Sequence, residues 1–553
     1  MAVREAPPRG DDTRTRPAGT TPGRRSLGWS ALSGVIALAA FLASAEAVAV
    51  VIGAQSSPLV GVGSAVIDLA PPGAKQIMVG LFGTGDKAAL LALMAILLVI
   101  ITALAGIAER AGMARRPRIP WGRVIFAVGG ILAVIAVRTR ADASDFDVVP
   151  AAVGTIVALL VLARLSTGRF RWEAASAYDS GALESKPQLS PGLRTAPIER
   201  RAFLRFAAVT AAASIVVGAG ARVINAGAVN AAALRAKVHL PRAAVKAPPI
   251  PAGSDLKVTG LTPYVTSNAD FYRIDTALSV PQVDPTTWKL EITGLVDHPV
   301  TLSWQQLLDK PLVEHLATLS CVSNDVGGNL IGTALWLGYP LRDLLAQAAP
   351  HADADMVLSR SIDGFTAGTP LSVLQDPGTQ ALLAIGMNGQ PLPLEHGFPV
   401  RMVVPGLYGY VSATKWVTSL HVTRFADEKA YWTTRGYSAR GPVKVESRID
   451  APSNSSSVSV GTVPVAGVAW EPHTGISAVH VRIDGGPWLE ATLADSVSDD
   501  TWRQWVYRWD APAGTHKIEV RATDKKGKTQ PSTYVAPAPN GAEGWDSVSV
   551  TVR

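Results

Sequence analysis

The chain has one cysteine in 553 residues, Cys321. That excludes an intrachain disulfide, a cysteine-held iron–sulfur cluster and a four-cysteine zinc site. Histidine is also scarce, and all nine histidines lie at or after His239. The residues before it therefore offer no imidazole pair to a b-type haem, and without a Cys-x-x-Cys-His motif there is no covalent haem either. Charged residues are only 17% of the chain against 48% hydrophobic ones, too apolar a balance for an ordinary soluble protein. The net charge of +7 would suit a nucleic-acid partner, but its distribution argues against one. Residues 1–225 hold 24 Lys and Arg against 14 Asp and Glu, whereas residues 226–553 hold 27 against 30. The basic excess sits in the apolar half, where membrane topology accounts for it and nucleic acid does not.

Four runs, near residues 29–52, 88–108, 121–138 and 147–165, are long and apolar enough to cross a bilayer as helices. A fifth, near 203–225, is richer in alanine and weaker. Arg4, Arg9, Arg14, Arg16, Arg24 and Arg25 precede the first run, and Arg110, Arg115, Arg116, Arg118 and Arg123 separate the second and third. A further basic stretch runs from Arg164 to Arg205. The alternate loops carry only Lys75 and Lys87, or Arg138 and Arg140. The positive-inside rule then puts a basic tail, residues 1–28, in the cytoplasm, a membrane domain over 29–225, and everything after the fifth run outside the cytoplasmic membrane. The segment between the first two runs is broken by Pro71-Pro72 and is expected to be interfacial or re-entrant. Glu46, inside the first run, reads equally as a functional carboxylate or as one satisfied by a partner. Arg200-Arg201-Ala202-Phe203-Leu204-Arg205, ahead of the weakly apolar fifth run, resembles a twin-arginine export signal. Such a signal moves domains that have already folded in the cytoplasm, often around a cofactor.

A Pro/Ala-rich linker over 226–255 leads into a mixed α+β pattern over 256–438. From 439 to 553 the helical signals vanish. "SVSVGTVPVAGVAW", "ISAVHVRIDGG" and "HKIEVRATD" alternate with period two between turn residues and predict a compact immunoglobulin-like β-sandwich, with a hairpin at Gly485-Gly486.

In the α+β region, "TSNADFYRID", "WKLEITGLVDHPVTLSWQQLL", "ATLSCVSN", "LWLGYPLRDLL", "SIDGFTAGTPL" and "MNGQPLPLEHGFPVRMVVPGLYGYVSATKW" follow one another in the order and spacing of the molybdopterin-binding domain of the sulfite oxidase family. The C-terminal sandwich resembles that family's dimerisation domain. The resemblance covers about residues 250–553 and leaves the membrane half outside. It implies a molybdenum–molybdopterin cofactor whose metal takes one soft protein ligand, and Cys321 stands where the family has its thiolate. Asn324, three residues on, is the other candidate catalytic residue. His396, Arg401 and Lys415 match the family's cofactor anchors, with Gly406 shaping the loop between them, and Asn268, Phe271 and Arg273 match its N-terminal cofactor contacts.

The implied activity is two-electron oxygen-atom transfer on a small-molecule substrate outside the membrane. Asp325 stands where sulfite-oxidising members carry an arginine, Ile385-Gly386 where they carry tyrosine and glutamate, and "RID" where they carry "RNH". An aspartate beside a dianion repels it, so sulfite itself is not expected as the substrate. Electrons then need a separate carrier, a haem protein, a quinone or a soluble carrier, and the C-terminal domain could pair two chains. The alternative is a membrane-anchored binding or structural ectodomain that has lost cofactor function.

Overall fold

The computed structural model describes residues 24–53, 56–70, 78, 81, 86–113, 118–140, 143–179, 200–227, 231–278 and 280–553. Most of the basic tail and Pro71-Pro72 lie outside those residues. The chain divides into two compact units, one of residues 1–58, 92–135 and 146–222, the other of 59–91, 136–145 and 223–553. The second unit thus takes in two stretches that the sequence assigned to the membrane domain.

The first unit is helical. Its elements are α1 (Arg24–Ile52), most of α3 (Asp86–Met113) and α4 (Trp121–Arg138), then α5 (Val149–Asp179) and α6 (Arg200–Gly227), while α2 (Pro58–Leu69) belongs largely to the second unit. Four helices, over Leu27–Ile52, Lys87–Met113, Trp121–Arg138 and Asp145–Thr167, are long and apolar enough to cross a membrane, and the apolar part of α6, Leu204–Gly220, is shorter. Small residues let α1 and α3 touch backbone to backbone. A Cβ on Gly34 would overlap the Thr102 carbonyl, and one on Gly106 would overlap that of Ser30. Leu97, Ile100, Leu104, Leu132 and Leu160 are exposed, which is costly in water and favourable in lipid. Glu46 is buried and accepts a 2.6 Å hydrogen bond from the Ser57 hydroxyl, so it is satisfied by a partner. A second buried acid, Glu109, takes both the Arg123 guanidinium, at 2.7 Å, and the Arg123 amide.

In the second unit, the α+β region holds two sheets. Strands β1 (Lys289–Gly294), β2 (Val300–Ser303), β5 (Met356–Ser361), β6 (Thr366–Pro370) and β10 (Val417–Thr423) form one in the order β2-β1-β10-β5-β6. Strands β3 (Val313–Ser320), β4 (Ile331–Pro340), β7 (Leu382–Met387) and β8 (Gln390–Pro391) form the other, with β9 (Arg401–Val403) on β7. Strand β3 ends in five successive buried residues, Leu316 to Ser320, the pattern of a strand covered on both faces. The linker is partly structured: Val245 bridges Val313 on the edge of β3.

The C-terminal region stacks the sheet of β11 (Glu446–Ala451), β13 (Gly461–Trp470), β16 (Thr492–Leu493) and β17 (Arg503–Ala511) on a second one. That sheet has β12 (Ser457–Val458), β14 (Ile476–Ile483), β15 (Leu489–Glu490), β18 (Gly514–Asp524) and β19 (Asp546–Val552). Ile518, Val520 and Ala522 alternate into the core with Val465, Trp505 and Val550, as their period-two spacing requires. Asp484 and Gly485, at φ of 51° and 70°, make the hairpin that "DGG" announces.

Candidate active site

One cavity of about 110 Å³ is lined by Phe271, Tyr272, Cys321, His396, Arg401 and Lys415 together with an aromatic wall of Phe365, Tyr410, Trp432 and Tyr437. Five residues picked from three sequence motifs, Phe271, Cys321, His396, Arg401 and Lys415, therefore meet at one place. Cys321 is delivered by β3: the strand's hydrogen bonding runs out one residue before it, and its amide then closes on the Leu330 carbonyl at 2.9 Å. The buried thiol receives the Ser323 amide at 3.4 Å. Burial raises its pKa and the Ser323 hydrogen bond opposes that shift, so the thiol holds its proton at neutral pH unless a cation replaces it.

His396, Arg401 and Lys415 approach one another because residue 397 is glycine. Gly397 has φ of 109°, and a Cβ there would sit 3.0 Å from that of Arg401 and 3.1 Å from that of Lys415. His396 Nε2 donates to the Asn268 carbonyl at 3.1 Å, and its ring meets Phe271 edge-on at 5.5 Å between centroids. Burial, then the neighbouring Arg401, pulls the imidazole pKa down to about 4, so it is neutral with Nδ1 left as an acceptor. Arg401 is 5% exposed, lies over the Trp336 ring and donates only to the carbonyls of His396 and Met402. Burial brings its pKa down to about 10, which still leaves it a cation. Among the described residues no carboxylate pairs with it.

Lys415 donates to Asp275 at 2.6 Å and to the Glu395 carbonyl at 3.0 Å. Burial lowers its pKa to about 8 against the pull of Asp275. Asp275 also holds Arg273, at 3.0 Å, and Lys87. Burial alone would raise its carboxyl pKa, but Lys415, Lys87 and Arg273 outweigh that and hold it well below the usual range.

The other sequence candidates lie off the cavity wall. The Asn268 side chain reaches the Met387 carbonyl and Asn388, beside the cavity rather than in it. Arg273 faces Asp275. Asn324 turns inward, its Oδ1 accepting from the Leu330 amide at 2.7 Å. Gly406, at φ of 83°, faces the sandwich, where a Cβ would come within 2.8 Å of that of His473. Asp325, expected near substrate, instead accepts from Tyr534 at 3.2 Å. Ile385 is buried in β7, and Gly386 packs against Leu240. Tyr272, Asp275 and the aromatic wall are the residues the sequence reading did not single out as site groups. The only signal for Asp275 is its position two residues after Arg273.

The residues present fit a molybdopterin. A buried guanidinium with no counter-charge costs several kcal/mol unless an anion meets it, and the cofactor's phosphate is such an anion. Cys321 opens onto the same cavity and offers a soft donor of the kind such a metal takes.

The pattern described as the oxidoreductase molybdopterin binding domain matches residues 277–432, and that of a bacterial Ig domain matches 446–520. Mitochondrial sulfite oxidase of Homo sapiens is 32% identical over 342 residues, covering 52% of this chain and 62% of that protein. The chain thus spans less than two thirds of the length of that relative. The uncharacterized oxidoreductase YuiH of Bacillus subtilis is 34% identical over 158 residues, covering 29% of this chain and 76% of that one. Among solved structures, the sulfane dehydrogenase SoxCD of Paracoccus pantotrophus superposes with a TM-score of 0.45 at 21% identity, over 53% of this chain and 84% of that one.

Proposed function

This chain belongs to the sulfite oxidase family of molybdopterin-dependent oxidoreductases, and on that footing we propose that it transfers an oxygen atom to or from a small neutral substrate outside the cytoplasmic membrane. The observation that carries the reading is the convergence of a lone thiol and a buried, uncompensated arginine on one cavity. When bound, the cofactor supplies the two-electron oxygen-atom chemistry. Cys321 would ligate its metal, Arg401 and Lys415 would meet its anionic groups, and neutral His396 would offer Nδ1 to a donor on it. Phe271 fixes the His396 ring by edge contact. Arg273 and Asp275 orient Lys415, while Asn268 fixes the histidine tautomer through its carbonyl.

Among the described residues, Arg401 and Lys415 are the only basic ones other than His396 on the cavity wall, and Asp363 lines it with the aromatic groups. If both cations serve the cofactor, none remains for a dianionic oxyanion. This supports a neutral oxo-donor or acceptor such as a sulfoxide or an amine N-oxide over sulfite. The four apolar helices and the basic cytoplasmic loops support a multi-pass membrane location with the catalytic unit on the outer side. Electrons would pass to or from a separate haem protein, quinone or soluble carrier, since no histidine precedes His239.

The full chain, purified in detergent from a host that makes molybdopterin, tests this by elemental mass spectrometry. About one molybdenum per chain is expected, with Cys321→Ser altering the metal's spectrum. A well-folded chain free of molybdenum and pterin would overturn the enzyme reading in favour of a binding ectodomain. In the loaded protein, turnover of a sulfoxide or N-oxide should exceed that of sulfite.

A further inference from the structure

The loop that carries Cys321, residues 321–330 between β3 and β4, rests on the C-terminal sandwich. Arg448 of β11 donates to the Gly328 carbonyl at 2.7 Å. Two residues before it on the same strand, Glu446 is 3% exposed, and its Oε1 has no hydrogen-bond partner. Asn324 is 2% exposed, and its Nδ2 has none either. One orphan is an acceptor and the other a donor, and the Asn324 side chain is the hydrogen-bonding group that faces the Glu446 carboxyl. Each is unfavourable if left unmade, and a small side-chain movement satisfies both. The charged groups nearby do not compete. Lys444 is held by Glu543 at 3.1 Å and by the Gly541 carbonyl, and Asp325 is turned to Tyr534.

We propose that Glu446 is a positioning residue for the Cys321 thiol, acting through Asn324. Asn324 already spans the loop: its amide donates to the Cys321 carbonyl at 3.0 Å, and its Oδ1 takes the Leu330 amide. A bond from Nδ2 to Glu446 pins that brace to β11 at a second point beside Arg448. The sandwich then sets where the sulfur stands. Burial pushes the Glu446 carboxyl well above its usual range, so it acts as a neutral acceptor that glutamine can replace. The consequence for catalysis rests on Cys321 being the metal ligand, but the positioning itself can be read without metal.

The sole cysteine makes the test clean, because a thiol reagent reports on Cys321 alone. The full chain, made in a host that lacks molybdopterin, is labelled with iodoacetamide at fixed pH, with circular dichroism confirming the fold of each variant. Losing one such bond opens the loop about tenfold more often, so Glu446→Leu should label about tenfold faster than wild type, and Asn324→Ala, which also loses the bond to the Leu330 amide, at least as fast. The double variant should label no faster than Asn324→Ala, and Glu446→Gln should match wild type. If Glu446→Leu does not fold, Glu446→Ala takes its place. A wild-type rate in Glu446→Leu, a Gln variant as fast as Leu, or a double variant faster than Asn324→Ala would overturn the proposal. Loss of molybdenum from the wild-type chain would instead sink the enzyme reading and leave the labelling result standing.

Discussion

At the scale of single residues, the site works by burying charge and leaving part of it unanswered. Asp275 meets three cations, Lys87, Arg273 and Lys415, while Arg401, also buried, meets no carboxylate among the described residues. The same desolvation that burdens Arg401 keeps His396 neutral. That has a measurable effect on stability. The folded-state pKa of His396, about 4, lies below the ordinary value of about 6.5 for an unfolded histidine. Its contribution is therefore fully present above pH 6.5 and is lost as pH falls through 4, because only the unfolded chain takes up the proton in between. The loss is on the order of 3 kcal/mol at the acid end. Urea unfolding of the cofactor-free chain between pH 7 and 4 should show this slope, and His396→Gln should flatten it. An unchanged slope in the variant would mean that the imidazole is solvated in the folded chain.

At the scale of elements, the fold was legible wherever one period ran uninterrupted. The alternation of "HKIEVRATD" gave β18 its core face, and the buried run that ends in Ser320 placed Cys321 at a strand's end. Cys321, Phe271, His396, Arg401 and Lys415 were legible because each sits in one of three motifs. What was not legible depends on pairs distant in sequence. Lys87 finds Asp275 across 188 positions, and Arg448 finds Gly328 across 120. Asn324 and Gly406 lie within motifs and Asp325 just after one, yet the Leu330 amide turns Asn324 inward, and neighbours from the sandwich, His473 and Tyr534, face the other two. Gly406 offers the direct check on this. Alanine there must adopt φ of 83° and meet His473, at a cost of about 1–3 kcal/mol. Gly406→Ala should lower the thermal midpoint of the full chain while the molybdenum bound per folded chain stays at the wild-type level. A selective loss of molybdenum without loss of stability would return Gly406 to the cofactor site.

At the scale of the whole molecule, the proposed location raises the question of how a cofactor-loaded domain would reach the outer side. An anionic pterin could meet Arg401 only after β9, β10 and the Gly397 turn have folded, which favours loading before export. The helix from Arg200 has an apolar stretch of only Leu204–Gly220, weaker than the four long helices and preceded by Arg200-Arg201. Ordinary threading of an unfolded chain needs strong apolarity and any basic flank, whereas twin-arginine export needs the arginine pair itself. Lysine keeps the charge and removes the guanidinium pair, so Arg200→Lys/Arg201→Lys separates the two routes. In osmotically opened cells, external protease should cleave the catalytic unit of the wild type and spare that of the double variant, which should still carry molybdenum inside. If protease reaches both alike, the arginines act only as a cytoplasmic flank. The domain then crosses unfolded, and the cofactor must be supplied on the outer side.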